Sequence, residues 1–326
     1  ANHQKVFLEF YASWCSDCRE MDKQVFNQPD VAAKLKPFET LRVDITEDTE
    51  KERKIKKAFH IASTGRPGPV LVDIPKDITT INGKYFYPKT VAIRSYDTVV
   101  KNDVSDEIID KIVSSLLRAK RPMIYTGGGV IFSEASQELA ELVRALGYPC
   151  TNTLMGLGGY PGTDPLFLGM LGMHGTYEAN MSMHGCDFML CVGARFDDRI
   201  TGRIDAFSPD SYKVHIDIDP SSVNKNITVE APLIGDVSNI LNLLDKRWKE
   251  RGSKVNQKKL GAWWQAINDW KKVKSLSYEN SSNVIKPQYA VERLEELTKS
   301  YNRFVSTEVG QHQMWAAQFM GFEEPN

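Results

Sequence analysis

Pro122-Met123-Ile124-Tyr125-Thr126-Gly127-Gly128-Gly129 sets an apolar strand, residues 123–126, directly against three consecutive glycines. Proline at 122 stops the preceding helix, because it lacks an N–H and its ring clashes with the turn before it. The four residues that follow are apolar, aromatic or β-branched, the composition of a buried strand. Glycine after a strand lets backbone N–H groups approach an anion closely, so Gly127, Gly128 and Gly129 read as a phosphate or pyrophosphate cradle. Phe132 stands where a full G-x-G-x-x-G would end, and a tight turn accounts for the same residues.

The flanks extend an αβ alternation. Ser105 is placed as an N-cap ahead of Ile108, Ile109, Ile112, Val113, Leu116 and Leu117, which share one helical face. Beyond the glycines, a helix capped by Ser133 is expected to end at Gly147. Further strands are expected over 187–193, 213–218 and 303–307, with helices between them, including 236–250. Residues 251–261 are polar and Lys-rich and read as a linker, ahead of an amphipathic helix that starts at Trp263. This alternation predicts an α/β fold with a parallel, Rossmann-like sheet, its domain spanning 103–252.

Several loops of that domain carry cofactor chemistry. Thr153-Leu154-Met155 and Leu171-Gly172-Met173-His174-Gly175 are in Gly-rich loops whose apolar side chains suit a flat ring. Gly193-Ala194-Arg195-Phe196-Asp197-Asp198-Arg199 ends a strand with a cationic cluster. Asp217 and Asp219 end another, where carboxylates take ribose hydroxyls or an adenine amine.

The N-terminal region has a different texture. Residues 5–12 read as a buried strand, followed by helices from Cys15 to about Val25 and over 31–35. A second strand covers 40–46 and a solvated helix 47–58. The turn cluster Gly65-Arg66-Pro67-Gly68-Pro69 leads into a strand at 70–74, and 79–102 reads as an interdomain linker. Trp14-Cys15-Ser16-Asp17-Cys18 places a dithiol at a helix start, where free N–H groups favour the Cys15 thiolate. Cys18 would resolve a mixed disulfide from one turn away, with Glu9 relaying a proton. Half a zinc site is the alternative, but no second pair of Cys or His lies near in sequence, so no metal site is assigned. The other three of the five cysteines, Cys150, Cys186 and Cys191, are expected to be buried small hydrophobes rather than disulfide partners.

Composition narrows the function classes. The chain has 326 residues with 41 Lys+Arg against 42 Asp+Glu, a net charge of −1. That balance argues against a broad nucleic-acid or anionic-membrane surface. No apolar run approaches the ~18 residues of a membrane span. No charged, apolar and small-residue sequence of a signal peptide opens the chain, which points to the cytoplasm.

Two resemblances follow from these residues. FYASWCSDCREMDKQVF, NQPDV and LRVDIT resemble the C-terminal thioredoxin-like domain of thiol:disulfide interchange proteins. That resemblance implies Cys15 as nucleophile and Cys18 as resolving thiol, with Glu9 where the family carries a buried acid. It also implies a cis-proline facing the dithiol, and Pro69 is the candidate. The thioredoxin-like segment is taken as 1–78, with the strand at 69–74 placed to complete it.

Residues 58–326 resemble the acetolactate (acetohydroxyacid) synthase large subunit. The matching runs are AFHIASTGRPGPVLVDIPKD, MGLGGYPGTDPLFLGMLGMHGTYEANMSMH, VGARFDDRITG, HIDIDP, IKPQ and VGQHQMWAAQF. The chain is thus an apparent chimera. The resemblance implies the end of a pyrimidine domain, a whole central FAD domain, and linker helices leading into a pyrophosphate domain over 253–326. It implies FAD contacts at Arg94, Gly127, Gly128, Gly129, Thr153, Leu154, Met155, Leu171, Gly172, Met173, His174, Gly175, Gly193, Arg195, Asp197, Arg199, Asp217, Asp236 and Val237. Val309, Gly310, Gln311 and His312 match the strip that meets thiamine diphosphate.

The implied family chemistry condenses 2-ketoacids in branched-chain amino-acid biosynthesis, using thiamine diphosphate and Mg²⁺ with a structural FAD. The thiamine-activating glutamate and the Mg²⁺-diphosphate segment have no counterpart in this sequence, so autonomous synthase activity is not expected. A synthase-type homo-oligomer or regulatory subunit is the implied partner. Thiol–disulfide exchange and non-catalytic FAD or partner binding are the alternative functions.

Overall fold

The computed structural model describes residues 5–11, 25–26, 28–31, 38–44, 51–76, 93, 104–252, 255 and 257–325. The chain divides into two compact units, 1–101 and 102–326.

In the first unit, β1 (Lys5–Tyr11) runs between β2 (Phe38–Asp44) and β3 (Val70–Asp73), and both pairings are parallel. Helix α1 (Lys51–Ser63) lies between β2 and β3 in the chain, as a parallel crossover requires. It runs past the expected end at 58, because Ala58 and Ile61, three residues apart, are both buried. The register sets Val6 beside Val70 and Glu9 beside Asp73. The strand 70–73 therefore does join the N-terminal sheet. The cis-proline expectation is overturned: there is no cis peptide among the described residues, and Pro69 is among them. Cys15, Cys18 and nearly all of 79–102 lie outside the described residues.

The second unit holds a six-stranded parallel sheet. Its strands are β4 (Pro122–Thr126), β5 (Cys150–Asn152), β6 (Phe167–Met170), β7 (Phe188–Val192), β8 (Tyr212–Asp217) and β9 (Ala231–Ile234), in spatial order β6-β5-β4-β7-β8-β9. Numbered within the domain, that order is 3-2-1-4-5-6, the doubly wound arrangement. The strand order reverses between β4 and β7, whose residues are all buried. Both faces of these central strands are covered, so their apolar residues are continuous rather than alternating.

The flanking helices follow their apolar stripes. Helix α2 (Asp106–Arg118) buries Ile109, Ile112, Val113 and Leu116, and Ser105 Oγ accepts from the Ile108 N–H. The glycine cluster differs from expectation: Gly128 already opens a short helix, α3 (Gly128–Phe132), which Ser133 ends. The next helix, α4 (Ser136–Leu146), has no side-chain N-cap. Gly147 closes it in the left-handed region at φ 65°, donating to Val143 O at 2.8 Å. Past α5 (Tyr177–Gly185) and the single turn α6 (Asp198–Thr201), α7 (Val237–Glu250) and α8 (Gln257–Lys271) complete the layers.

Helix α8 begins inside the stretch expected to be a linker. Its Lys-rich first turn conceals a buried stripe of Leu260, Trp263 and Ile267. Strands β5, β6 and β9 escaped the sequence reading because each has only three or four residues. The strand expected at 303–307 is absent. That stretch follows α9 (Pro287–Thr298) and precedes α10 (Gln311–Phe319), Phe304 is 83% exposed, and no described strand pairs with it. Among the described residues no helix is long and apolar enough to cross a membrane. Cys150, Cys186 and Cys191 are free and buried, as expected.

Candidate functional site at the carboxyl edge of the sheet

Because all six strands run parallel, their carboxyl ends share one edge, and the predicted cofactor residues fall on it. Gly127–Gly129 follow β4, Thr153–Met155 follow β5, and Leu171–Gly175 follow β6. Gly193, Arg195, Asp197 and Arg199 follow β7, Asp217 ends β8, and Asp236 and Val237 follow β9. Arg94 is outside the described residues. In open α/β sheets this edge, at the reversal of strand order, is where ligands bind.

The glycines after β4 bring two loops into close backbone contact. Gly127 N donates to Val192 O at 3.0 Å and Gly129 N to Gly193 O at 2.9 Å. A Cβ on Gly127 would lie 2.6 Å from Gly193 O, and one on Gly129 would lie 2.6 Å from Gly193 Cα. The residues that looked like an anion cradle therefore let the loops after β4 and β7 close on each other. Gly156 approaches from the β5 loop, where its Cβ would meet Gly127 Cα at 2.9 Å.

The loop after β7 is pinned along its backbone. Tyr125 Oη donates to Arg195 O at 2.8 Å, His215 Nε2 lies 2.8 Å from Ala194 O, and Asn226 Nδ2 donates to Phe196 O at 2.7 Å. Phe196 packs against Tyr125, Phe207 and His215. Burial holds the Tyr125 hydroxyl in its protonated, donating form, well above the usual phenol range. Burial works against a charge on His215, but the Cys191 sulfur and the Asp217 carboxylate outweigh it and raise the imidazole above its ordinary range. The loop thus presents Arg195, whose guanidinium pairs with Asp197 at 2.9 Å with both side chains part-exposed.

The neighbouring loops are tied into the same rim. Met173 N donates to Arg199 O at 3.0 Å, and Asn180 exchanges two hydrogen bonds with Gly172 at 2.8 and 2.9 Å. Thr126 Oγ1 donates to Asn152 Oδ1, and Asn152 Nδ2 donates to Gly156 O at 2.8 Å. Asp217 accepts from Asp219 N at 2.8 Å, and Asp236 caps α7 by accepting from Asn239 N at 3.1 Å. Leu171 and Val237 are buried and hold the rim from within. Met173, in contrast, is 63% exposed.

Tyr125, Asn152, Asn180, His215 and Asn226 were not singled out in sequence. Tyr125, Asn180 and His215 stood in noted runs without a role of their own, and all five gain one from pairings in the folded chain. Val309, Gly310, Gln311 and His312 are exposed at the start of α10. Gln318, near the far end of that helix, donates to His174 O at 2.8 Å. The strip 309–312 and the rim at His174 thus meet opposite ends of one short helix, about 10 Å long between those positions at ~1.5 Å per residue. A cavity of about 400 Å³ opens beside this contact, with Leu157, His174, Lys271, Ala317 and Phe322 in its wall. Among the described residues no three His, Cys, Asp or Glu side chains converge as a metal site.

Comparison with known proteins agrees with this geometry. Residues 109–244 match the model of the central domain of thiamine pyrophosphate enzymes, and residues 1–73 match a thioredoxin-like model. The acetolactate synthase large subunit of Haemophilus influenzae is 48% identical over 273 residues, 83% of this chain and 47% of that protein. The isozyme 3 large subunit of Escherichia coli is 42% identical over 273 residues, covering 83% and 47%. The chloroplastic acetolactate synthase of Arabidopsis thaliana is 41% identical over 273 residues, covering 84% and 40%. The chain spans about half the length of these relatives or less. Its larger part belongs with the acetolactate synthase large subunits, built on the central domain of the thiamine pyrophosphate enzymes, behind a thioredoxin-like N-terminal segment.

Proposed function

We propose that the six-stranded unit binds FAD along its carboxyl edge and that the chain is an acetolactate-synthase-type segment without synthase turnover of its own. The observation that carries this reading is the gathering of the predicted contacts from all six strand ends onto one edge at the reversal of strand order. The residues fit a dinucleotide. Arg195 and Arg199 offer cations for a pyrophosphate, Asp217 a carboxylate at a strand end for a ribose or adenine, and exposed Met173 an apolar surface for a ring. The glycines fit it indirectly, by fixing the spacing of the loops that carry these groups.

When bound, FAD supplies structure in this family and thiamine diphosphate the carbanion-stabilising chemistry. What this chain contributes is binding and orientation: pinned carbonyls at 194–196 hold Arg195 in place before any ligand arrives. The residues proposed toward thiamine diphosphate are Val309–His312, and the reading expects no acetolactate from these 326 residues with pyruvate, thiamine diphosphate, Mg²⁺ and FAD. The test is titration of the purified chain with FAD, following tryptophan fluorescence and melting temperature. Saturable quenching with a raised melting temperature supports the reading, and no change at about millimolar FAD rejects it. Turnover of pyruvate by material free of host synthase would reject the second half.

A second reading is favoured by the thioredoxin-like match over 1–73 and by β1 lying at the centre of a parallel sheet. In it the Cys15 thiolate attacks a substrate disulfide and Cys18 displaces the mixed disulfide, giving an oxidised pair here and two thiols on the substrate. Alkylation of Cys15→Ser and Cys18→Ser variants against pH tests this. Distinct rates, with Cys15 titrating below ~8.5, support it, and equal rates near that value reject it.

A further inference from the structure

His215 is wholly buried on β8 and faces two groups that a dinucleotide would engage at different ends. Its Nε2 lies 2.8 Å from the carbonyl oxygen of Ala194, the residue before Arg195. The same nitrogen lies 3.7 Å from Asp217 Oδ2. A carbonyl and a carboxylate only accept, and Nδ1 has no hydrogen-bond partner among the described residues. The ring therefore carries a hydrogen on Nε2 in its neutral form as well as its charged one. Cys191, the register partner of His215 on β7, also reaches Ala194 O, at 3.2 Å. Burial keeps that thiol protonated, but S–H is a weak donor, so the strong bond to this carbonyl is the imidazole's. The Phe196 ring packs edge-on against the imidazole at 5.1 Å between centroids. The second oxygen of Asp217 accepts from Asp219 N at 2.8 Å, which holds the carboxylate from its other side.

We propose that His215 is a positioning residue that ties the pyrophosphate end of the FAD site to its ribose or adenine end. Its Nε2–H sets the spacing between the loop that carries Arg195 and the carboxylate of Asp217. A ligand that engages one of them then finds the other already placed. The side chain has no exposed surface, so its effect reaches FAD only through Ala194 O and Asp217. Tyr125 and Asn226 bond the next two carbonyls of the same loop, but the group that also faces Asp217 is His215. The inference rests on the FAD reading and deepens it. Residues in one hydrogen-bond network do not act additively, and here the sign is fixed. Once either end is lost, the preset spacing no longer helps the other.

Calorimetric titration of the full chain with FAD tests this by a double-mutant cycle. Arg195→Ala and Asp217→Asn should each weaken binding. The combined variant should bind about fivefold more tightly than the product of the two losses predicts. In His215→Leu, affinity should fall about tenfold, the scale of one hydrogen bond, and the two losses should become multiplicative. His215→Asn, whose shorter amide does not reach Ala194 O, should behave like the leucine variant and serves if that one does not fold. His215→Gln keeps an N–H at the position of Nε2 and should return affinity to within about threefold of the parent. Tyr125→Phe, which loosens the same loop without facing Asp217, should keep the coupling. Multiplicative losses in the parent overturn the proposal, as does a folded His215→Leu or His215→Asn variant with parental affinity. A His215→Gln variant as weak as these two, or loss of the coupling in Tyr125→Phe, overturns it as well. A parent that does not bind FAD removes the FAD reading and this inference together, whereas a parent that binds FAD without coupling removes this inference alone.

Discussion

The two edges of the six-stranded sheet are built from the same backbone geometry and are finished in opposite ways. At the amino edge side chains from helix and loop close over the strand starts. Trp263 Nε1 donates to Pro122 O at 3.0 Å and Trp264 Nε1 to Gly147 O at 2.9 Å, so helix α8 closes the strand starts. Asp187 accepts from Lys120 N at 2.9 Å and Arg121 N at 2.8 Å, and Glu230 accepts from Lys213 N at 2.7 Å. At the carboxyl edge the backbone is equally satisfied, but the long side chains face outward, with Arg195 paired only to part-exposed Asp197. The difference shows how one sheet separates stability from binding: buried aromatics at one edge, rigid loops displaying cations at the other.

The sharpest way to break that comparison is at the amino edge. Trp263 is 4% exposed and packs edge-on against Trp270 at 5.5 Å between ring centroids. Trp263→Ala should cost about 3–5 kcal/mol of stability, measured by chemical denaturation. Its FAD affinity, measured well below the new melting temperature, should be unchanged. A loss of affinity in the folded variant would mean the edges are coupled.

At the carboxyl edge the opposite pattern is expected. Arg195→Ala should weaken FAD binding by about 1.5–3 kcal/mol, the scale of a hydrogen bond to a charged group. Its own unfolding free energy should move by less than ~1 kcal/mol, because the Arg195–Asp197 pair is part-exposed. Calorimetric titration and denaturation of one preparation measure both quantities.

Gly127→Ala tests whether the glycines serve loop packing. The added Cβ would meet Gly193 O at 2.6 Å and Ala194 Cβ at 2.7 Å. A loss of about 1–3 kcal/mol in the ligand-free protein is expected, the usual range for overpacking. If stability holds while FAD binding falls, the tripeptide is a ligand cradle after all.

The smallest effect belongs to Tyr125→Phe, which removes only the hydroxyl that bonds Arg195 O. Stability should fall by about 0.5–1.5 kcal/mol. FAD association should slow relative to the parent in stopped-flow fluorescence, because the Arg195 loop loses one of its anchors. An unchanged rate would show that His215 and Asn226 suffice to pin that loop.

Much of this architecture was legible before folding, for identifiable reasons. The stripe Ile109, Ile112, Val113, Leu116 and the cap Ser105 are local in sequence, and the structure places them as read. Gly147 ends its helix for a local reason too, since the left-handed conformation there suits a residue without Cβ. The central strands β4 and β7 could be seen because strands buried on both faces are apolar throughout. The candidate site residues were legible as Gly-rich and charged strand ends. What could not be read was the partner far away in sequence: Gly127 and Gly129 pack against Gly193, some sixty residues later.

Periodicity, caps and motifs are short-range properties, so the alternation of strand and helix, the burial of Cys150, Cys186 and Cys191, and the family resemblance of the larger part could all be read along the chain. Tertiary structure alone decided the rest. It set the 3-2-1-4-5-6 strand order that gathers six loops on one edge. It left 303–307 unpaired, since a strand exists only where another backbone accepts its hydrogen bonds. And it set Gly127 and Gly129 against Gly193, because what a residue without a side chain allows depends on what approaches it in space.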